Sequence, residues 1–423
     1  MKKIMIIFLI INISFVFNFV YADDENSEEE ISDNAWIYET VELSNSDDIN
    51  EPKINSKSAV IFDRTSGEII WGKDENSKKK MASTTKIMTA MIVIENKENL
   101  SEIVTISNKA AGVGGSRLGL SSGNKISAND LLYGLMLKSG NDCAIALAEF
   151  TSDSVDNFVD KMNQKAEELC LTQTHFVTVN GLDEEEHYTT ALELAKITDY
   201  ALKNEKFREI VRTKNYTVTI NGYGKTIVNT NELLGNLNGV YGVKTGFTNG
   251  ANRCLVTAVK RENMDIICIV LGADTKKDRT RDSIKIIEYA FANYSMINLE
   301  NKILEEFEDW NNTNNITIIK GVDKYAQIEL AYFQNSSIAV QNNDINKIEI
   351  QIEALKILNS PIYKGTKVGE LKVKVNNETR VKIDLIISKD IKKKNEKNYF
   401  IEILKEYKNF LKTYWQVNKR VIL

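Results

Sequence analysis

Ser83-Thr84-Thr85-Lys86 is the first place where residue types and spacing suggest chemistry. Ile87, Met88, Met91 and Ile92 follow at helical spacing. The segment is therefore predicted to open a helix, with Ser83 and Lys86 on one face because residues three apart are neighbours there. A serine hydroxyl is a weak nucleophile at its own pKa, and a neutral lysine one turn on can take its proton. The helix N-terminus also favours negative charge developing at Ser83. The motif alone decides nothing, since a serine cap followed by a solvated lysine has the same letters. S-x-x-K recurs at Ser77–Lys80 and Ser122–Lys125.

Two more segments raise Ser83 above its duplicates. Ser139-Gly140-Asn141 lies between the apolar-periodic stretches Leu131, Leu132, Leu135, Met136 and Ala144, Ile145, Leu147, Ala148. That places it in a tight turn between helices, where side chains can point into a cleft. Ser122-Gly123-Asn124 repeats the letters among turn residues and reads as an ordinary glycine turn. Lys244-Thr245-Gly246 ends the strand-like run from Val240. Strand alternation puts Lys244 and Gly246 on one face and Thr245 on the other. A glycine there lets a ligand approach the backbone. Lys138-Ser139-Gly140 fits the same pattern but belongs to the inter-helix turn.

The elements that must position these residues are legible in outline. Ser58–Phe62 and Glu68–Trp71 flank Asp63-Arg-Thr-Ser-Gly67 and read as a hairpin. Helical patterns follow from Ser83, and strand runs then appear at Tyr216–Ile220, Gly239–Lys244, Cys254–Val259 and Ile266–Leu271. A sheet drawn from both ends of this region with helices between is an α/β or α+β domain. After Tyr294 short alternating runs predict a small all-β module: Ile316–Ile319, Ala326–Leu330, Lys347–Ile352, Gly369–Val375 and Val381–Ile387. A charged linker, Lys392–Lys397, leads to an amphipathic stretch with Phe400, Leu404, Tyr407, Leu411 and Tyr414 on one face. It is too polar to span a bilayer. Its aromatics and lysines suit an interfacial membrane anchor, and the alternative is a helix packed on protein.

Composition bounds the function. The chain has 423 residues, 43% hydrophobic and 27% charged, with a net charge of −5. An acidic balance argues against a nucleic-acid partner. Two histidines, His175 and His187, leave too few ligands for a histidine-built metal site, so none is expected. Four cysteines without C-x-x-C spacing (Cys143, Cys170, Cys254, Cys268) read as small buried hydrophobes. Met1-Lys2-Lys3, an apolar run to Val20 and a small residue at Ala22 read as an export signal. Residues 23–57 form an acidic linker. The expected domains are thus 1–22 signal peptide, 23–57 linker, 58–295 catalytic domain, 296–391 β-rich domain and 392–423 basic linker with anchor helix.

The ordered set S-x-x-K, S-x-N, K-T-G, separated by 56 and 105 residues, resembles that of penicillin-binding proteins and class A β-lactamases. Longer segments resemble the D-alanyl-D-alanine carboxypeptidases among the low-molecular-mass penicillin-binding proteins: Ala82–Ala90, Leu137–Asp142, His187–Ala191, Asn229–Leu234 and Val243–Thr248. Ser360–Gly365 with Val368–Leu371 resembles that family's C-terminal β domain. The resemblance implies a β-lactamase/transpeptidase-like catalytic domain followed by a small all-β domain and a C-terminal amphipathic helix. It implies removal of the terminal D-alanine from peptidoglycan pentapeptide stems in the cell wall, through an acyl-serine that β-lactam antibiotics also form, without a cofactor. The site would be at the outer face of the cytoplasmic membrane or elsewhere in the envelope.

Carried over residue by residue, the resemblance makes Ser83 the nucleophile and Lys86 its base. Lys86 must then be neutral, which burial and the neighbouring cation Lys244 favour. Ser139 relays the proton to the leaving D-alanine, Lys244 orients it, and Asn141 holds the substrate amide. Backbone N–H groups of Ser83 and Phe247 form an oxyanion hole, Gly246 admits the substrate, and Thr245 and Arg279 take the terminal carboxylate. Arg281 is the rival to Arg279, and a surface role is the alternative for both. Met81 stands where the family has proline, and Asn252 where it has glycine, which should narrow or shift the adjacent loop. Arg117 follows the expected glycine-serine loop without an assigned role. His187 reads as structural, since no orienting partner is evident, and Asp142 as a helix cap. A D,D-endopeptidase or β-lactamase on the same fold and a catalytically inactive wall-binding protein are the alternatives. The β-lactamase lacks its usual glutamate motif between Asn141 and Lys244.

Overall fold

Val60, Val256 and Ala258 come from strands far apart in sequence, yet they share one apolar core with helical Met88, Leu131 and Leu147. The computed structural model describes residues 37, 40–41, 51–333 and 336–419; the signal sequence and most of the acidic linker lie outside them. The chain divides into two units, one running to Phe62 and from Trp71 to Ala290, the other comprising Asp63–Ile70 and the chain from Phe291.

The first unit is built on five strands. They are β1 (Ser58–Asp63), β2 (Ile69–Lys73), β5 (Val240–Thr248), β6 (Asn252–Arg261) and β7 (Met264–Ala273), in the order β2-β1-β7-β6-β5. β6 and β7 are buried along nearly their whole length, so their sequences are continuous apolar runs rather than alternations. β5 lies at the sheet edge, with Lys244 opposite Val256 and Phe247 opposite Arg253. A separate exposed hairpin, β3 (Asn215–Ile220) and β4 (Tyr223–Val228), adds a strand the alternation did not reveal.

The helices that carry the motifs are α1 (Lys86–Asn96), α2 (Ala128–Leu137), α3 (Asn141–Ser152) and α4 (Lys276–Asn293). A short 3₁₀ turn, Ala82–Thr85, leads into α1. Eight consecutive residues of α1, Lys86 to Val93, are buried. A helix buried all round belongs to a domain centre, and its first residue is a lysine. Ser127 caps α2 by accepting from Asp130 N–H, the expected use of a serine at that position.

In the second unit, four antiparallel strands take the order β8-β11-β10-β9, namely β8 (Ile328–Leu330), β11 (Glu378–Ile387), β10 (Lys367–Val375) and β9 (Ile348–Ala354). Leu371, Val373 and Val375 face one apolar cluster, while Val368, Leu385 and Ile387 face another. The module opens with a helix, α5 (Glu300–Thr313), whose Ile303 and Phe307 join Leu299 in the first cluster. Its four-residue apolar spacing is helical. The terminal amphipathic stretch is α6 (Glu396–Lys419).

The cysteine reading holds for Cys143, Cys254 and Cys268, which are buried thiols, but Cys170 is exposed at the end of a helix. Its φ of +56° turns the chain outward there. None of the four is in a disulfide.

Candidate active site

Lys86 Nζ sits 2.7 Å from Ser83 Oγ, 2.7 Å from Asn141 Oδ1 and 2.7 Å from the Asn180 carbonyl. Lys86 is fully buried and Ser83 half-buried. Two of the three neighbours are carbonyl oxygens, which can only accept. A neutral amine has two hydrogens to give them. An amine in that form would turn its lone pair to the Ser83 hydroxyl, the arrangement a general base needs.

The turn that presents Ser83 is strained and held from both sides. Ala82 has φ of +47°, which a residue with a Cβ adopts at a cost of roughly 1–2 kcal/mol. Its carbonyl accepts from Thr85 Oγ1 at 2.8 Å, and the Met81 carbonyl accepts from Thr84 Oγ1 at 2.6 Å. Met81 is buried at φ of −112°, far from the proline value of about −65°. The local backbone here is thus one that a proline does not adopt. Gly181 closes over the turn. A Cβ on it would lie 1.9 Å from the Ala82 carbonyl oxygen.

Ser139-Gly140-Asn141 is the inter-helix turn that the sequence indicates. Ser139 is almost fully buried with φ of +61°. Gly140 has no room for a side chain, because a Cβ would come within 2.8 Å of both Asp142 Oδ1 and Cys143 Sγ. Asn141 Nδ2 donates to the Gly114 carbonyl at 2.7 Å. With Oδ1 on Lys86, Asn141 orients the lysine in this state. Asp142 is not the cap of α3, which is Gly140 without a side-chain hydrogen bond, but lies in the first turn. Its carboxylate accepts from the backbone N–H groups of Leu118, Gly119, Leu120 and Cys143. It clamps the 118–120 backbone to the turn.

On β5, Lys244 and Thr245 are buried and Phe247 half-buried. A Cβ at Gly246 would sit 3.1 Å from Ser83 N and 3.2 Å from Ala82 Cβ. The glycine therefore lets the strand lie against the nucleophile's backbone. Lys244 Nζ donates to the Thr245 carbonyl at 3.0 Å. Thr245 Oγ1 is 2.8 Å from Thr230 Oγ1, a partner that sequence reasoning missed. Asn252 has φ of +57° and its amide donates to Asp274 at 3.3 Å. Asparagine tolerates this left-handed conformation better than most residues, and its side chain is held at Asp274.

Arg279 is buried on α4 and pairs with Glu232 at 3.2 Å. Lys276 reaches the same carboxylate at 3.2 Å, and the Thr280 hydroxyl donates to it. Burial opposes charge on Glu232, but Arg279, Thr280 and Lys276 together hold its carboxyl below the usual glutamate value. The arginine is therefore fixed beside Thr230 in a cleft wall, whereas Arg281 is only partly buried.

His187 has the partners the sequence did not reveal. Its Nδ1 accepts from the Val177 N–H at 3.0 Å, and Nε2 lies 2.8 Å from Thr85 Oγ1. With Nδ1 accepting, Nε2 carries the hydrogen and donates it to Thr85. Thr85 passes its own hydrogen to the Ala82 carbonyl. Burial, aided by His175 and Lys80 against Asp183, pushes the His187 pKa down to about 4. The ring is neutral near pH 7 and buttresses the Ser83 turn. His175 is exposed.

Residues 45–275 match the family model of D-alanyl-D-alanine carboxypeptidases, and residues 311–393 match that of the penicillin-binding protein 5 C-terminal domain. The D-alanyl-D-alanine carboxypeptidase DacF of Bacillus subtilis is 35% identical over 344 residues, which is 80% of this chain and 86% of that protein. DacA of Escherichia coli is 29% identical over 86% of this chain and 89% of its own length. Among solved structures, penicillin binding protein 5 of Haemophilus influenzae is similar with a TM-score of 0.69 and 26% identity, over 82% of this chain and all of that one. A Streptomyces DD-transpeptidase gives 0.55 and 35% over 58% of this chain and all of its own. With a serine and a lysine in contact at the head of a buried helix, the chain belongs to the D-alanyl-D-alanine carboxypeptidases of the low-molecular-mass penicillin-binding proteins, serine hydrolases that act on peptidoglycan stem peptides and are acylated by β-lactams.

Proposed function

We propose that Ser83 and Lys86 carry the removal of terminal D-alanine, supported above all by the three 2.7 Å contacts of the Lys86 amine. The amine takes the Ser83 hydroxyl proton as Oγ attacks the carbonyl between the two D-alanines. The oxyanion lies between the N–H groups of Ser83 and Phe247. One such donor is worth about 3–4 kcal/mol of barrier. The C–N bond then breaks, and the proton on Lys86 passes through Ser139 to the departing amine, with Lys244 orienting Ser139. Thr245 and Arg279 hold the leaving carboxylate, which suits a fixed guanidinium. Water delivered along the same path hydrolyses the acyl-serine and returns the hydroxyl proton.

The test is intact mass after mixing with a penicillin, together with D-alanine release from an acyl-D-Ala-D-Ala peptide. An adduct on Ser83 and loss of both signals in Ser83→Ala support the assignment. D-alanine release by Ser83→Ala overturns it. Hydrolysed drug without a lasting adduct makes the enzyme a β-lactamase instead.

The same reading places the enzyme outside the cytoplasmic membrane, with α6 lying on its outer surface. The basic and apolar N-terminus supports export. Phe400, Tyr407, Phe410, Tyr414 and Trp415 are all more than half exposed on α6, and lysines accompany them, as an interfacial helix requires. Among the described residues no helix is long and apolar enough to cross a membrane.

A further inference from the structure

Asp183 lies outside the three motifs, just past Asn180, whose carbonyl touches Lys86, and Gly181, which closes over the Ser83 turn. Its side chain is only 14% exposed. Oδ1 accepts from the Thr248 hydroxyl at 2.7 Å, and Oδ2 accepts from the Gly250 backbone N–H at 2.8 Å. Thr248 is the last residue of β5 and directly follows Phe247. Gly250 lies in the turn from β5 to β6, and a Cβ on it would come within 2.8 Å of both Asp183 oxygens. Lys80 Nζ stands 3.9 Å from Oδ1, in the segment that leads into the nucleophile's turn.

The contacts on this carboxylate are unequal. Hydrogen bonds to an ionised acceptor are shorter and stronger than neutral ones, whereas an exposed ion pair at the distance of Lys80 adds little. The links that matter therefore run to Thr248 and Gly250, across 65 and 67 positions of the chain. They do more than close a turn. Thr248 Oγ1 already accepts from the Ala251 N–H at 3.0 Å, which closes the β5–β6 turn on itself. Its one hydrogen is spent across the gap on Asp183. The carboxylate thus ties the end of the strand bearing Lys244 and Thr245 to the loop whose carbonyl holds Lys86. That strand has little slack, since a Cβ at Gly246 would sit 3.1 Å from Ser83 N.

Resting on the carboxypeptidase reading, we propose that Asp183 is a positioning residue for acylation. It fixes the end of β5 against the 180–183 loop and so sets the placement of the K-T-G strand relative to Ser83 and Lys86. It touches no reacting atom. Its loss acts on the rate of the covalent step more than on the first, noncovalent encounter.

The experiment uses the full chain and rapid-mixing acylation by a chromogenic penicillin, which separates noncovalent binding from the acylation rate constant. Thermal unfolding and D-alanine release from an acyl-D-Ala-D-Ala peptide are followed alongside. Asp183→Asn keeps the size but can accept from only one of its two donors. Its acylation rate constant is expected to fall by roughly tenfold to a hundredfold, the scale for a small misplacement of a reacting group, while noncovalent binding changes little. Thr248→Val should slow acylation in the same way, and Thr248→Ser, which keeps the hydroxyl, should restore most of the rate. The double variant Asp183→Asn with Thr248→Val should be little slower than the slower single variant, because the two share one link. A merely structural role would lower the melting temperature and the fraction that reacts, not the rate constant of the folded fraction. Parental acylation by folded Asp183→Asn, or losses that multiply in the double variant, would overturn the proposal and leave the activity standing. If Asp183→Asn does not fold, equal rate constants in Thr248→Val and Thr248→Ser overturn it instead. A parent enzyme that neither acylates nor releases D-alanine overturns the carboxypeptidase reading itself.

Discussion

His187 Nε2 and Thr85 Oγ1 are 2.8 Å apart, and Thr85 in turn donates to the carbonyl of Ala82, the residue before the nucleophile. A histidine near a catalytic serine suggests a base. Here the ring donates away from the serine and fixes a strained turn. Thr85→Val keeps the shape and removes the link. Acylation by penicillin is expected to slow by about tenfold to a hundredfold, the scale for a small misplacement of a reacting atom. Thr85→Ser should restore most of the rate. A folded Thr85→Val enzyme that acylates at the parent rate would refute the positioning role.

The same ring makes stability depend on pH. His187 is held at about 4, against about 6.5 for an ordinary histidine. Between those values the unfolded chain binds a proton that the folded chain refuses, so stability falls as pH drops through this window. Above about 6.5 neither form is protonated there, and below about 4 both are, so the loss levels off. The full effect is on the order of 3 kcal/mol. Urea unfolding at pH 7 and pH 4.5 should show a steeper loss in the parent than in His187→Asn. Equal losses in both proteins would remove His187 as the cause.

What the sequence made visible was local. Ser83 and Lys86 stand three apart on a helix, and the turn at Ser139 lies between two amphipathic runs, so spacing alone located them. The partners that hold them come from far along the chain. Asn180 reaches Lys86 across 94 positions and His187 reaches Thr85 across 102, from a loop with no periodicity to read. Glu232, which fixes Arg279, lies 47 positions before it. β4 escaped notice because five of its six residues are exposed and only Ile227 is buried, which leaves no apolar alternation. α5 was hidden by a different cause. Its polar face is so rich that only Ile303 is buried, and its stripe competes with the strands that follow. Asn252 was legible as a departure, but its tolerance follows from a positive φ that only the fold displays.

Gly181 carries a sharper steric test. It has φ of +87°, and an added Cβ would fall 1.9 Å from the Ala82 carbonyl oxygen. Gly67 has a similar φ of +76° with nothing within 4 Å of the same position. Each substitution to alanine incurs the backbone strain of roughly 1–2 kcal/mol. Only Gly181→Ala also pushes on the Ser83 turn. Thermal unfolding should therefore show Gly67→Ala mildly destabilised with full acylation, and Gly181→Ala more destabilised with acylation reduced at least tenfold. Matching acylation rates in the two variants would mean that the turn does not depend on Gly181.

The terminal helix gives the last contrast. Phe400, Leu404, Tyr407, Leu411 and Tyr414 recur at helical spacing and are all exposed on α6. Apolar area of this kind gains free energy at a lipid boundary, at roughly 25 cal/mol per Å², and the lysines on the remaining faces add attraction to anionic headgroups. A chain ending before Tyr399 retains the whole catalytic unit. It is expected to release D-alanine at the parent rate while moving from the membrane pellet to the soluble fraction. For the intact protein, binding to vesicles containing phosphatidylglycerol should weaken as salt rises, because part of the attraction is screened. Unchanged partitioning after the deletion would show that α6 packs elsewhere, and salt-independent binding would show that the lysines take no part in it.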